Sequence, residues 1–345
     1  MKPSYVLLTL AGSALSLCGQ STFSAPVSGY VFDNVGHAVR AVLGVPGAAS
    51  LGPASPPAWD SVSVAPNGRW GLGLTGLSLN WIPDLSQPAS FTPILQAAGP
   101  ILRIAWSNDS TTAAFWSPAT ARLQRITGFG STPAVHDPID LTAVSGRLSG
   151  WSLSPDGHSL ALSTSATGAS SVYLSDQDGA PVPIGLVVDP GAVAFTADGA
   201  SLLVFGAARQ QIVQLGLPSG SIAGSFDASS FAPAAEVAVS GTGSRKSSPR
   251  RRPTASEVQD LAASADGARL YAIGSQNLCG YSLSTGQLIS CQALTIPSAS
   301  FQPMPNGILL LNYPRSANQP FWLLDGKTNQ TYFVPSGNAS ADASF

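Results

Sequence analysis

Three histidines (His37, His136, His158), two glutamates (Glu236, Glu257) and three cysteines (Cys18, Cys279, Cys291) are the side chains of this 345-residue chain best suited to acid–base, metal or thiol chemistry. Hydrolysis and metal binding need such groups gathered within a few ångströms. Sequence spacing gathers none of them. His37 follows the turn Asn34-Val35-Gly36, His136 stands in a polar stretch before Asp137-Pro138, and His158 follows Gly157, where a side chain is expected to face solvent. Asp176-Gln177-Asp178-Gly179 opens like a calcium loop but lacks the later ligands and the closing glutamate, so it reads as a hairpin turn. There is no G-x-S-x-G, no P-loop and no H-E-x-x-H. The reading at this level is no catalytic residue, no metal ligand set and no cofactor. Convergence of residues distant in sequence is a matter for the fold.

Two cysteines do have informative spacing. In NLCGYSLSTGQLISCQAL, Ser284-Thr285-Gly286 reads as a three-residue hairpin loop with Gly in the left-handed position. Tyr281 to Leu283 then face Gln287 to Ile289, and Cys279 falls opposite Cys291. Directly paired cross-strand Cβ atoms lie about 4.5 to 5.5 Å apart, close enough for a disulfide after small adjustment. The alternative is two free thiols. A bridge closing so short a loop contributes on the order of 3 kcal/mol.

A second cluster is cationic. Arg245, Lys246, Arg250, Arg251 and Arg252 crowd into the segment 241–257, GTGSRKSSPRRRPTASE. The segment has too little apolar surface to bury, so it is expected to be a disordered loop on one face of the fold. It reads either as a docking arm for an acidic partner or anionic surface, weakened by salt, or as a solvated, protease-sensitive insertion.

The elements that must position these residues announce themselves by composition. Gly 35 and Pro 28, with only 10% charged residues, suit short strands joined by many turns. Hydrophobic residues reach 44% and the net charge is -2, enough apolar surface to offset the entropy of ordering. With Lys2, Lys246 and Lys327 as its only lysines, the chain has no broad basic face for nucleic acid. Lys2 followed by the uncharged run Tyr5 to Leu17 reads as an export signal, residues 1–25, too short to span a bilayer comfortably. Leu15-Ser16-Leu17 before Cys18 departs from the lipoprotein pattern L-[AS]-[GA]-C at Leu17. The expectation is an extracytoplasmic protein, periplasmic or secreted, with lipid anchoring at Cys18 as the alternative and no span once the signal is removed. An exported chain meets the oxidising conditions that a Cys279–Cys291 bridge requires.

One phrase recurs six times: apolar alternation, Ser/Ala-Pro/Ala-Asp/Asn-Gly, then a second apolar run. The copies begin at Val62, Ile104, Trp151, Val193, Leu261 and Ser300, and the second has Ser110 in place of Gly. Each reads strand, tight turn, strand, because Asp or Asn caps the turn and Gly accepts positive φ. Their turn residues Asn67, Asp109, Asp156, Asp198, Asp266 and Asn306 are spaced 42, 47, 42, 68 and 40 apart. A period near 40 to 45 fits a four-stranded propeller blade, and no 3.6-period run long enough for a helical repeat intervenes. The segment 29–52 adds strands that need a blade of their own. We therefore expect an all-β fold: a β-propeller of four-stranded blades over 26–337, seven-bladed with six as the alternative, and a tail at 338–345.

From about Ala58 to Pro335 these phrases resemble the S-P-D-G-containing repeats of the WD40-like and YVTN-type bacterial β-propellers, which include the TolB-like propellers. The resemblance implies the fold. Such families hold scaffolds, envelope components and a few lactone-opening enzymes, so it transfers no single activity. The functional expectation is an exported, noncatalytic, monomeric propeller that binds a protein or glycan through loops on one face; the alternative is a lactonase- or lyase-type enzyme with carboxylates in the channel. Trp59, Trp70, Trp106, Trp116 and Trp151 are read chiefly as packing between blades.

Overall fold

In the computed structural model the described residues are 25–142, 144–166, 171–231, 258–294 and 299–336. The expected export signal up to residue 24, the basic segment with Arg245, Lys246, Arg250, Arg251 and Arg252, and the tail at 338–345 lie outside them, as do both glutamates.

The described residues form twenty-seven strands, β1 to β27, and three single-turn 3-10 helices. The strands make seven antiparallel sheets, each built from strands consecutive in sequence. Between successive sheets lies one cluster of buried apolar side chains, seven in all. The last of these packs Val31 and Val42 of the first sheet against Leu310, Phe321 and Val334 of the last, closing the ring. The fold is thus a seven-bladed propeller. The blade without a repeat phrase, the first in chain order, comes from the segment before the first phrase, and the 68-residue interval holds the connection between the fifth and sixth blades.

Six blades have four strands. Their innermost strands are β4 (Ser61–Val64), β8 (Arg103–Trp106), β12 (Arg147–Leu153), β16 (Pro190–Phe195), β20 (Val258–Ala263) and β24 (Ala299–Pro303). The first blade has three strands among the described residues: β1 (Val27–Asp33), β2 (Ala38–Leu43) and β3 (Ser50–Ser55).

Each repeat phrase is the hairpin joining the first two strands of a blade, and four of the six share one hydrogen-bond pattern. In the third copy Ser154 Oγ donates to Asp156 Oδ1 at 2.5 Å and accepts from Ser159 N, while the same carboxylate oxygen accepts from His158 N. Ser107, Thr196 and Ser264 repeat this with Asp109, Asp198 and Asp266. The hydroxyl two residues before the Asp is thus part of the motif. It satisfies a backbone N–H five residues on that the turn leaves without a ladder partner. The next position requires positive φ, and Ser110 adopts 64° where the other copies have Gly.

Cys279 and Cys291 are directly paired and disulfide-bonded across two strands of the sixth blade, β22 (Asn277–Ser282) and β23 (Leu288–Ala293). The loop is one residue longer than expected, because Ser282 N donates to Gln287 O and Gly286 N to Ser282 O, enclosing residues 283–286. A bulge at Ile289 compensates: Tyr281 pairs with Leu288, but Gly280 pairs with Ser290, which restores the register by Cys279.

Candidate functional site

The innermost strands enclose a central channel with a cavity of about 710 Å3. Its width follows from residue choice at one repeated position. Four residues before each turn Asp or Asn stand Ser63, Ala105, Ser152, Ala194, Ala262 and Gln302, all lining the cavity. Five are small, so the strands approach the axis without filling it.

Six residues before the turn, the corresponding residues are Ser61, Arg103, Gly150, Ala192, Asp260 and Ser300. The two charged ones meet across the ring, Arg103 Nη2 lying 3.3 Å from Asp260 Oδ1 and joining the third blade to the sixth. Asp260 is buried. Its Oδ1 also accepts from Leu261 N and its Oδ2 from Phe301 N. The Arg103 side chain keeps 40% exposure, and its guanidinium carbon lies 5.4 Å from the centre of the Trp151 ring. Both carboxylate oxygens are thus taken up by donors of the protein itself. The guanidinium, anchored at one nitrogen and backed by an aromatic face, keeps donors directed at the cavity for a polar or anionic group. Tyr313 also lines the cavity, and burial pushes its hydroxyl far above the ordinary phenol range.

The three histidines are not brought together. His158 is exposed, and His37 Nδ1 is 3.1 Å from Trp59 O. His136 has more company than its sequence context suggested. Its Nδ1 is 2.8 Å from Asp178 Oδ2 and its Nε2 is 2.8 Å from Thr127 Oγ1. Asp178 sits in the expected hairpin turn, where Gln177 and Asp178 both have positive φ, and it reaches from the fourth blade to the third. There Arg125, almost wholly buried, binds Asp178 Oδ1 at 2.6 Å and the carbonyls of Gly157 and His158. Burial works against the charged form of Asp178, yet the hydrogen bond and charge of Arg125, then His136, hold its carboxyl below the usual range. Among the described residues no three His, Cys, Asp or Glu side chains are grouped to hold a metal.

The tryptophans divide as packing requires. Trp59, Trp106 and Trp151 are buried, and Trp106 Nε1 donates to Ser63 Oγ of the preceding blade. Arg103 and Asp260 were not singled out by motif. Their signal was available only by aligning the six phrases and asking which repeated position changes character.

No protein-family model matches the chain, and no curated protein matches it. Among solved structures it is similar to a functionally unknown protein from Desulfotomaculum acetoxidans, at 12% identity and a TM-score of 0.57 over 89% of this chain and 95% of that one. It also aligns with TolB from Acinetobacter baumannii, at 18% identity and a TM-score of 0.45 over 79% of this chain and 62% of that one. At such identity the likeness to the Desulfotomaculum acetoxidans protein speaks to the fold alone. Among the described residues no helix is long and apolar enough to cross a membrane.

Proposed function

We propose that this protein is an exported, noncatalytic recognition propeller that receives part of a protein or glycan partner in its central channel, at Arg103. The observation that carries the reading is the open channel with one half-exposed guanidinium stacked near Trp151 and held by Asp260. Such a group offers directional donors to a carboxylate or to sugar hydroxyls, on a rigid ring of strands. Export is supported by the amino-terminal signal and by the disulfide, which suits an oxidising compartment.

The test is binding by the purified mature chain to peptide and glycan arrays, followed by titration of each hit against Arg103→Ala. A partner that binds wild type and loses at least about tenfold in affinity with the variant, a difference of about 1.4 kcal/mol, supports the reading. Hits indifferent to Arg103, or turnover of lactones by the purified protein, would overturn it.

A further inference from the structure

The outermost strand of each blade ends its sheet at the rim with a row of backbone N–H and C=O groups that no further strand pairs among the described residues. Such edges invite pairing with another chain, and folded proteins blunt them with bulges, prolines or very short strands. Six of the seven edges are blunted in these ways. β3, β7 (Thr92–Gln96), β15 (Val182–Gly185), β19 (Ser221–Asp227) and β23, the outermost strands of the first, second, fourth, fifth and sixth blades, each carry one extra residue against the strand inside them. Pro53, Pro93 and Pro183 also stand in β3, β7 and β15, where each removes a donor. In the third blade the outermost strand, β11 (Ala134–Val135), is only two residues long.

The edge of the seventh blade has none of these devices. β27 (Gln330–Val334) pairs with β26 (Phe321–Asp325) through five consecutive residues without a shift. It contains no proline and no charge, and Thr331, Tyr332, Phe333 and Val334 are all of types that favour strands. The strand is held firmly from both sides. Asn329 Nδ2 donates to Ser290 Oγ and Thr331 Oγ1 to Gln292 Oε1 across the seam to β23, while Val334 is buried in the seam with the first blade. Phe333, at 59%, is the most exposed Phe, Tyr or Trp among the described residues.

The edge is also symmetric in extent. Asn329, at φ 59°, ends the extended backbone on one side of Tyr332, and Pro335, which has no N–H, ends it on the other, each three residues away. An antiparallel copy of the same strand, related by a twofold axis at Tyr332, therefore pairs all five residues: Tyr332 with its own counterpart, Thr331 with Phe333, and Gln330 with Val334. Every other antiparallel register of the strand with itself pairs fewer. With no charge in the ladder, nothing repels its own copy, and each Phe333 lies beside a Thr331 that its ring can cover. The partner that matches this edge in length, charge and apolar character is the edge itself.

We infer that two copies of this chain associate through β27, antiparallel about a twofold axis at Tyr332, so that their seventh blades form one continuous sheet. The interface is isologous, the same five residues on both sides, and therefore closes at a dimer. A ladder this short buries less than a standard protein–protein interface, so the association is weak and depends on concentration. Because β27 lies at the rim and Arg103 on an innermost strand, the channel stays open in both copies.

Sedimentation velocity of the purified protein over a concentration series tests this. A monomer–dimer equilibrium is expected, and Phe333→Lys, at a side chain exposed enough to leave the fold intact, is expected to weaken it at least tenfold, as lysines on natural edges do. Cysteine crosslinking reads the register. Directly opposed Cβ atoms lie about 4.5 to 5.5 Å apart, within small adjustment of a disulfide, whereas diagonal neighbours lie about 7 to 8 Å apart. Against the wild-type background, Tyr332→Cys is therefore expected to form an intermolecular disulfide at least tenfold faster than Phe333→Cys, although Phe333 is the more exposed and random collision would favour it. Should Phe333→Lys fail to fold, the crosslinking rates decide alone. A protein that stays monomeric at its highest soluble concentration, a dimer indifferent to Phe333→Lys, or faster crosslinking of Phe333→Cys would overturn the inference; the first outcome would leave the β27 edge for a strand of another protein.

Discussion

Arg103 and Asp260 occupy the same position in two different repeats, six residues before the turn Asp, and their side chains meet across the channel at 3.3 Å. Equivalent positions on opposite sides of a ring point at one another. A substitution that changes character at one such position therefore finds its partner at the same position of another repeat, however distant in sequence.

The pair is unequal, because Asp260 is buried while Arg103 keeps 40% of its side chain exposed. Removing Asp260 leaves the N–H groups of Leu261 and Phe301 without their acceptor, whereas removing Arg103 leaves a buried carboxylate with those two donors alone. Asp260→Ala is expected to cost about 2 to 3 kcal/mol and Arg103→Ala about 1, the latter reduced by solvent screening. A double-mutant cycle by urea unfolding should give a coupling near 1 kcal/mol. Zero coupling would mean that the 3.3 Å contact is not energetically real.

The turn carboxylates give the protein an acid limit. The Thr196 hydroxyl and the Ala200 N–H hold Asp198 below the ordinary carboxylate range, and the Ser264 hydroxyl and the Ala268 N–H do the same for Asp266. At Asp109 and Asp156 burial opposes the charged form, but hydrogen bonds from Ser107 and Ser154 and from the backbone outweigh it. A carboxyl depressed by folding stabilises the native state above its unfolded pKa, near 4, and that stability is lost as pH falls through the lower folded value. Unfolding free energy should therefore be flat with respect to these groups above about pH 5 and decline below about pH 4. Replacing Asp198 and Asp266 together with Asn should flatten the acid limb; an unchanged limb would assign it to other groups.

The fold was legible because its repeat is enforced locally. A turn Asp, a positive-φ Gly and alternating apolar residues leave each hairpin few other choices, so six phrases marked six blades. The hydroxyl that locks four of the turns was hidden because Ala65 and Met304 replace it in the first and sixth copies. The site was illegible by motif, since Arg103 and Asp260 are 157 residues apart and only ring closure juxtaposes them. His136 looked idle because its partner, Asp178, comes from the next blade. The Cys279–Cys291 pairing was legible because both cysteines belong to one hairpin, where a longer loop and a bulge offset each other.

The disulfide joins the two outer strands of the sixth blade across twelve residues. Chain-entropy arguments give a loop of that length about 3 kcal/mol. The double variant Cys279→Ser/Cys291→Ser should unfold at lower urea by that order, as should reduced wild type. Equal midpoints for reduced and oxidised protein would show that the hairpin holds the pairing without the bond.

Arg125 should be costly to remove. One almost wholly buried guanidinium in the third blade satisfies Asp178 Oδ1, Gly157 O and His158 O of the fourth, at 2.6, 2.9 and 2.6 Å. Arg125→Ala takes the side-chain donor from Gly157 O, leaves His158 O with Gln177 N alone and leaves Asp178 with His136 alone, an expected loss of about 2 kcal/mol. Arg125→Lys should recover only part of it, because an ammonium cannot reproduce the planar fork that reaches all three acceptors. Chemical unfolding of the three proteins checks both statements. A cost for Arg125→Ala within about 0.5 kcal/mol of zero, the range of ordinary surface changes, would show that the third and fourth blades are held by their apolar seam of Leu123, Trp151 and Leu162 rather than by the clasp.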